Sequence, residues 1–312
     1  MAEENREKDI LEKIATEGIK EQKRSRRWGI FFKLLTFAYL FAVLVMLMPS
    51  KEDGFGKAGE KHTALVNLKG IIAPNTEASA DKVISGLRNA FKNKNTAGVI
   101  LRINSPGGSP VQSGYIYDEI LRLREKYPEI PLHAVISDIG ASGGYYVAAA
   151  AKNIYVNQSS IVGSIGVRMD NFGVVEAMKK LGIERRTLTA GENKALLDPF
   201  SPVNPEVTRH LKTLLNNIHN QFINAVKLGR GKRLKEVEGM FSGLIWTGDQ
   251  SVEIGLADRE ASASYVAREI IGAESIVNFT VQPDFLERFS ESVGAKVAHI
   301  LTQESLLPQL KP

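Results

Sequence analysis

"SDIGASGGYYVAAAA", residues 137–151, is the stretch on which the reading of this chain turns. The apolar run "PLHAVI" before it reads as a buried strand, and the Ala-rich run after it reads as a helix. Between them Ser142 stands alone among Gly140, Ala141, Gly143 and Gly144. These five residues fit G-x-S-x-G, in which a sharp strand-to-helix turn pushes a serine hydroxyl into the open. Glycine permits the turn and lets a substrate approach the backbone. Free N–H groups at the helix start suit a developing oxyanion. The same residues also fit a Gly-rich bend whose serine merely caps the helix.

Strands and helices alternate on both sides of this bend. From near His62, "TALVNLKGIIA" is strand-like, and "SADKVISGLRNAFKN" has helical spacing with Ser79 as its cap. "AGVILRINSPGG" is a buried strand ending in a turn. "SPVQSGYIYDEILRLREKY" is a helix that starts at Ser109-Pro110. "NIYVNQSSIVGSIGV" follows the bend, then "FGVVEAMKKLGI" as a helix. "NPEVTRHLKTLLNNIHNQFINAVKLG" is a long amphipathic helix, and "SASYVAREIIG" a later one. This series predicts an α/β fold with a mostly parallel sheet covered by helices. From Glu274 onward the periodicity is weak and no element is assigned. "GRGKR" (Gly229 to Arg233) follows a helix rather than a strand and lacks Ser or Thr after its Lys, which argues against a phosphate loop.

The chain has 312 residues, a net charge of +5, a pI of about 9.2 and 43% hydrophobic residues, enough for a sizeable core. It has no cysteine, which excludes disulfides, thiolate metal sites and a cysteine nucleophile. The basicity is local: "KRSRR" (Lys23 to Arg27) precedes an apolar run, Trp28 to Met48, whose one charge is Lys33. At 1.5 Å per residue that run reaches roughly 30 Å, one hydrocarbon thickness. It is longer than a signal-peptide core, and no small-residue cleavage site follows it. The positive-inside rule places the N-terminus in the cytoplasm and the bulk of the chain outside. The basic patch thus belongs beside a membrane and does not indicate nucleic acid. The expected organisation is a tail (1–27), a transmembrane anchor (28–48), a linker (49–61), a globular domain (62–273) and a C-terminal tail (274–312).

A second glycine turn, "INSPGG" (Ile103 to Gly108), also ends a predicted parallel strand, and sites in such sheets gather at strand carboxyl ends. The Gly107 and Gly108 amides could join that of Gly143 in an oxyanion hole; they also fit a simple Pro-Gly turn. A nucleophilic serine needs a base. His210 and His219 fall inside the long helix, His133 on a strand, His62 beside the linker and His299 in the tail. Lys194, alone in "TAGENKALLDPFSP" (Thr189 to Pro202), is the other candidate. A lysine is a base only when neutral, as fewer than about one in a thousand are at pH 7 in water; an apolar setting raises that fraction. The residues alone leave the choice open.

"INSPGGS", "DIGASGGYYVA", "IVGSIGV", "AGENKALLDPF" and "TGDQSVEIGLAD" occur in an order and spacing that resemble signal peptide peptidase A, or protease IV, in its short bacterial form. The likeness runs from about His62 to Ile271 and includes the N-terminal anchor. It implies a crotonase-like, Clp-protease-like fold and a serine peptidase with a Ser/Lys dyad. By this resemblance Ser142 is the nucleophile, Lys194 the general base, and Ser164 a serine that orients the lysine amine. Gly143 and one of Gly107 and Gly108 form the oxyanion hole. It implies no metal or cofactor. It further implies apolar substrates such as cleaved signal peptides, and a ring, an octamer in the characterised pattern, whose sites combine residues of neighbouring subunits. Two rivals share parts of the pattern: a crotonase-type acyl-CoA enzyme, which would be cytosolic and use carboxylates, and a non-catalytic membrane scaffold.

Overall fold

The computed structural model describes residues 2–47 and 60–281. They fall into two units, divided at the linker. The first contains α1 (Ala2–Leu47), one helix of 46 residues, about 70 Å long at 1.5 Å per residue. Its segment Thr16–Leu44 is long and apolar enough to cross a membrane. The helix runs unbroken through Arg27–Trp28, so the residues before the apolar run continue its axis. Residues 48–59, which include most of the expected linker, lie outside the described residues, as does the tail from 282.

The second unit is the α/β domain. Its order is β1 (His62–Lys69), α2 (Ala80–Lys92), β2 (Thr96–Ser105), α3 (Pro110–Lys126), β3 (Leu132–Ala141), α4 (Gly143–Ala148), β4 (Asn153–Val156) and β5 (Ile161–Gly163). It continues with α5 (Val175–Lys180), α6 (Pro205–Arg230), β6 (Ile245–Thr247), α7 (Gly248–Glu253) and β7 (Arg259–Glu260). The last elements are α8 (Ala263–Tyr265), prolonged by a π turn (Val266–Ile271), and β8 (Ile276–Asn278). The sheet order is β6-β5-β3-β2-β1-β8, with β4 beside β3 and β7 beside β4. Among the described residues every pairing is parallel except β5 with β6. The expected mostly parallel sheet with helices is therefore present. It extends past the boundary expected at 273, because β8 pairs with Thr63–Leu65 of β1.

Both faces of the sheet are covered, which is why its central strands read as near-continuous apolar runs. Val66, Leu68, Leu101, Ile103 and Ile136 pack with Leu87 and Phe91 of α2 and with Ile116 and Ile120 of α3. Their neighbours Leu65, Ile100 and Val135 point to the other face and meet Val266 and Ala267 of the π turn. Ser109 caps α3 by accepting the Gln112 N–H, with Pro110 in the first turn. Ser79 begins α2 without a side-chain cap; the Ala80 N–H donates to Gln112 Oε1 at 2.8 Å instead.

"GRGKR" and "TGDQSVEIGLAD" meet in one buried ion pair. Arg230, fully buried at the end of α6, forms a fork to Asp258 at 2.8 and 2.9 Å. Its Nε donates to the Gly255 carbonyl. Asp258 also accepts from the Ile154 N–H and from Arg233. Thr247 and Gln250 form a capping box at α7. Both motifs thus have structural work.

His133 lies on β3, 2% exposed, edge-on to Tyr155. Burial, with Lys152 and Arg124 adding to it, lowers its pKa to about 4. The unfolded side chain titrates near 6.5, so at intermediate pH the unfolded chain holds a proton that the folded chain excludes. Stability present above about pH 6.5 is therefore lost as pH falls toward 4, by on the order of 3 kcal/mol. The urea midpoint of the detergent-solubilised protein should fall between pH 7 and pH 4.5. In His133→Phe that slope should be clearly shallower; an unchanged slope assigns the acid sensitivity to other groups.

Candidate active site

Ser142 lies at the junction of β3 and α4, at the carboxyl end of a central strand. Its φ of 51° and ψ of −125° are strained for a residue with a Cβ, a cost on the order of 1–3 kcal/mol that the surroundings must enforce. The Ser142 N–H donates to the Gly163 carbonyl at 2.8 Å, and the Ser142 carbonyl accepts from Tyr146. The turn is thereby tied to β5 on one side and to its own helix on the other. The side chain makes no cap bond. The plain-cap reading of Ser142 therefore does not describe its hydroxyl, which lines a cleft.

The two glycine turns lie against each other. A Cβ added to Gly107 would stand 2.6 Å from the Gly143 nitrogen and 2.7 Å from Ser142 Cβ. One added to Gly143 would stand 3.3 Å from the Gly108 nitrogen. Only glycine allows this approach, and Gly107 also has a φ of +97°. The Gly107 N–H donates to Ser105 Oγ at 3.1 Å, and that hydroxyl in turn donates to the Gly70 carbonyl. The Gly108 N–H has no partner among the described residues. The Gly143 N–H, in the first turn of α4, has none inside the helix. Gly107 thus shapes the turn, and the amides left without a partner among the described residues are those of Gly108 and Gly143. Ser105 is a buried support that the sequence reading passed over, because nothing in "INSPGG" marks its hydroxyl as bonded on both sides.

Ser164 sits on the next loop with a φ of 49°, and its N–H donates to the Leu244 carbonyl at 2.7 Å. Ser142, Ser164, Gly107, Gly108 and Gly143 all line one cleft of about 670 Å³. Its walls include Ile71, Tyr146, Val167, Ile218 and Phe222, with Gln221 and Arg168 as the larger polar side chains. These apolar walls come from β1's exit, α4, the loop after β5 and α6, which only the fold assembles. No lysine, histidine or carboxylate is among the described residues that line it.

Lys194 is elsewhere. It lies in a run of turns between α5 and α6, exposed, with its N–H on the Gly191 carbonyl. The stretch around it carries apolar side chains open to solvent: Phe172 at 82% exposure, Leu181 at 72%, Leu188 at 101% and Val203 at 84%. The histidines do not replace it. His62 and His133 are buried, His210 is exposed on α6, and His219 bonds the Ile165 carbonyl. His299 lies outside the described residues.

Comparison with known proteins agrees with this geometry. Residues 124–273 match the family model "Peptidase family S49". Over 172 residues the chain is 45% identical to a Brucella melitensis protein named "Na(+)/H(+) antiporter NhaA"; the match covers 55% of this chain and 23% of that protein. The chain thus spans about a quarter of that relative's length. It is 32% identical over 205 residues to "Putative protease slr0021" of Synechocystis, covering 66% of this chain and 72% of that one. It is 27% identical over 216 residues to "Putative signal peptide peptidase SppA" of Enterococcus faecium, covering 67% and 61%. With a serine elbow beside two free amides in a Clp-protease-like sheet, and with the Synechocystis relative matched over 72% of its length, the chain belongs to peptidase family S49.

Proposed function

We propose that the protein is a membrane-anchored serine endopeptidase that degrades cleaved signal peptides and similar apolar peptides at the outer face of the cytoplasmic membrane. One observation carries the reading furthest: a strained serine and two free amides share one cleft in which the described residues place no lysine, histidine or carboxylate. The base is Lys194 of a neighbouring copy. The exposed apolar residues around Lys194 fit burial against a second subunit, and a closed ring, an octamer in this reading, supplies one such neighbour to every serine. Helix α1 is the anchor, with the N-terminus in the cytoplasm. The name of the Enterococcus relative supports the signal-peptide assignment, and the apolar cleft walls suit such a substrate.

The chemistry then runs as follows. Neutral Lys194 takes the Ser142 Oγ proton while Oγ attacks the peptide carbonyl carbon. The Gly143 and Gly108 N–H groups hold the tetrahedral oxyanion; one such donor is worth about 3 kcal/mol of barrier. Ser164 orients the lysine amine. The ammonium gives its proton to the leaving nitrogen as the C–N bond breaks, and the acyl group remains on Oγ. Water, deprotonated by the same lysine, releases the acid and restores the serine. Because Lys194 works only when neutral, acylation should rise with pH; a rate that is flat from about pH 6 to about pH 9 removes the lysine base.

The direct test is labelling of the solubilised protein with a fluorophosphonate, followed by incubation with a synthetic signal peptide. Labelling at Ser142 and cleavage are expected. An acyl-CoA enzyme or a scaffold would give neither. Gly107→Ala should cost about 10²- to 10³-fold in kcat/KM, since its Cβ forces the Gly143 amide away from the oxyanion position. Near-normal kcat/KM in a folded Gly107→Ala protein would remove these amides from the mechanism.

A further inference from the structure

His219 lies on α6, half-buried, between Ile218 and the Gln221–Phe222 pair that form one wall of the cleft. It does not line the cleft itself. Its Nε2 is 3.0 Å from the Ile165 carbonyl, 54 residues away in sequence. A carbonyl only accepts, so Nε2 carries the proton, whether the ring is neutral or charged. Ile165 is fully buried, and its carbonyl has no other partner among the described residues. It directly follows Ser164, whose left-handed φ of 49° must be enforced by what surrounds it. Three bonds do this. The Gly163 carbonyl accepts from Ser142, the Ser164 N–H donates to Leu244, and the Ile165 carbonyl accepts from His219. The first two are backbone to backbone. The third is made by a side chain, and it joins the Ser164 turn to the helix that walls the cleft.

We propose that His219 is a positioning residue, which clamps the Ser164 turn to α6 through the Ile165 carbonyl and so fixes the hydroxyl that orients the catalytic amine. The assignment rests on the role given to Ser164 above. It follows that His219 neither touches substrate nor exchanges a proton with it. Losing the clamp leaves a buried carbonyl unpaired beside a strained residue, and the turn relaxes. A displacement of about 1 Å at such a site slows chemistry by up to about a hundredfold.

The test compares His219→Gln, His219→Asn and His219→Leu in the full, detergent-solubilised protein, with a fluorogenic apolar peptide as substrate. The Gln amide nitrogen falls close to the place of Nε2 and keeps a donor; the Asn amide is too short to reach. The expected result is a Gln variant within about threefold of wild-type kcat. Asn and Leu variants should be slower by about ten- to a hundredfold, with KM within about twofold and the pH–rate profile lowered but unchanged in shape. Should Leu fail to fold, Asn carries the comparison. Gln as slow as Asn, Asn at wild-type rate, or a loss confined to KM each overturns the proposal. A profile that loses its alkaline rise makes His219 the base and overturns it too. Wild-type labelling by fluorophosphonate at Ser142 separates these results from failure of the peptidase reading, in which the wild type itself stays unlabelled.

Discussion

Ser142→Ala and Lys194→Ala are each expected to lose at least about 10³-fold in activity on an apolar fluorogenic peptide, and a mixture of the two should regain part of it. The recovery has a predicted size. If each site takes its serine from one subunit and its lysine from the next, the Lys194→Ala subunit supplies the serine and the Ser142→Ala subunit the lysine. Random assembly of an equal mixture gives the right order at roughly a quarter of the sites. Activity near a quarter of wild type, reached only after subunits have exchanged, establishes a shared site. A mixture that stays inactive, although differently tagged subunits co-purify, places the pair in one chain. Lys194→Ala with full activity removes the lysine altogether. The expectation of sharing follows from two features of the single chain: a cleft whose described lining offers no proton acceptor of suitable strength, and an exposed Lys194 amid uncovered apolar side chains.

Much of this was legible in the sequence, for identifiable reasons. The elbow at Ser142 could be read because strand, turn and helix leave three different signatures within fifteen residues. The strands β1, β2 and β3 could be read because most residues on both their faces are buried, so their apolar runs are near-continuous. β8 was not legible: three residues are too few for alternation to emerge, and its place is set by pairing with β1. Which of the Gly107 and Gly108 amides is free was closed to sequence, because it depends on Ser105 Oγ occupying one of them. The sequence places His219 only inside an amphipathic helix and shows nothing of its bond, since its partner is a carbonyl 54 positions away. "TGDQSVEIGLAD" was recognisable as a signature without a visible reason; its reason is Asp258, which needs the "GRGKR" segment to be intelligible.

That ion pair sets the second large effect. Asp258→Ala should destabilise the domain by about 3–5 kcal/mol, because it leaves Arg230 charged, fully buried and without its counter-ion. Burial alone would raise the Asp258 carboxyl, yet the hydrogen bonds and charge of Arg230, the Ile154 N–H and Arg233 hold it below its ordinary value; the carboxylate is held as an anion. A loss of this size takes a large share of the 5–15 kcal/mol typical of a domain. The cycle with Arg230→Met isolates the cause. Adding Arg230→Met to Asp258→Ala should recover part of the loss, since the stranded charge is then gone, although the Ile154 N–H and Gly255 carbonyl remain unpaired. A single mutant that costs under about 1 kcal/mol, or a double mutant less stable than both singles combined, defeats the argument. The consequence should reach the serine. Tyr145, three residues after Ser142, donates its hydroxyl to the Leu256 carbonyl at 2.7 Å, and Gly229 packs directly on the Ala149 carbonyl at the end of α4. The short helix behind Ser142 is thus braced by the two segments that Arg230 and Asp258 join. Fluorophosphonate labelling of Asp258→Ala should therefore slow at temperatures where the variant is still folded, and labelling at the wild-type rate would confine the pair to global stability.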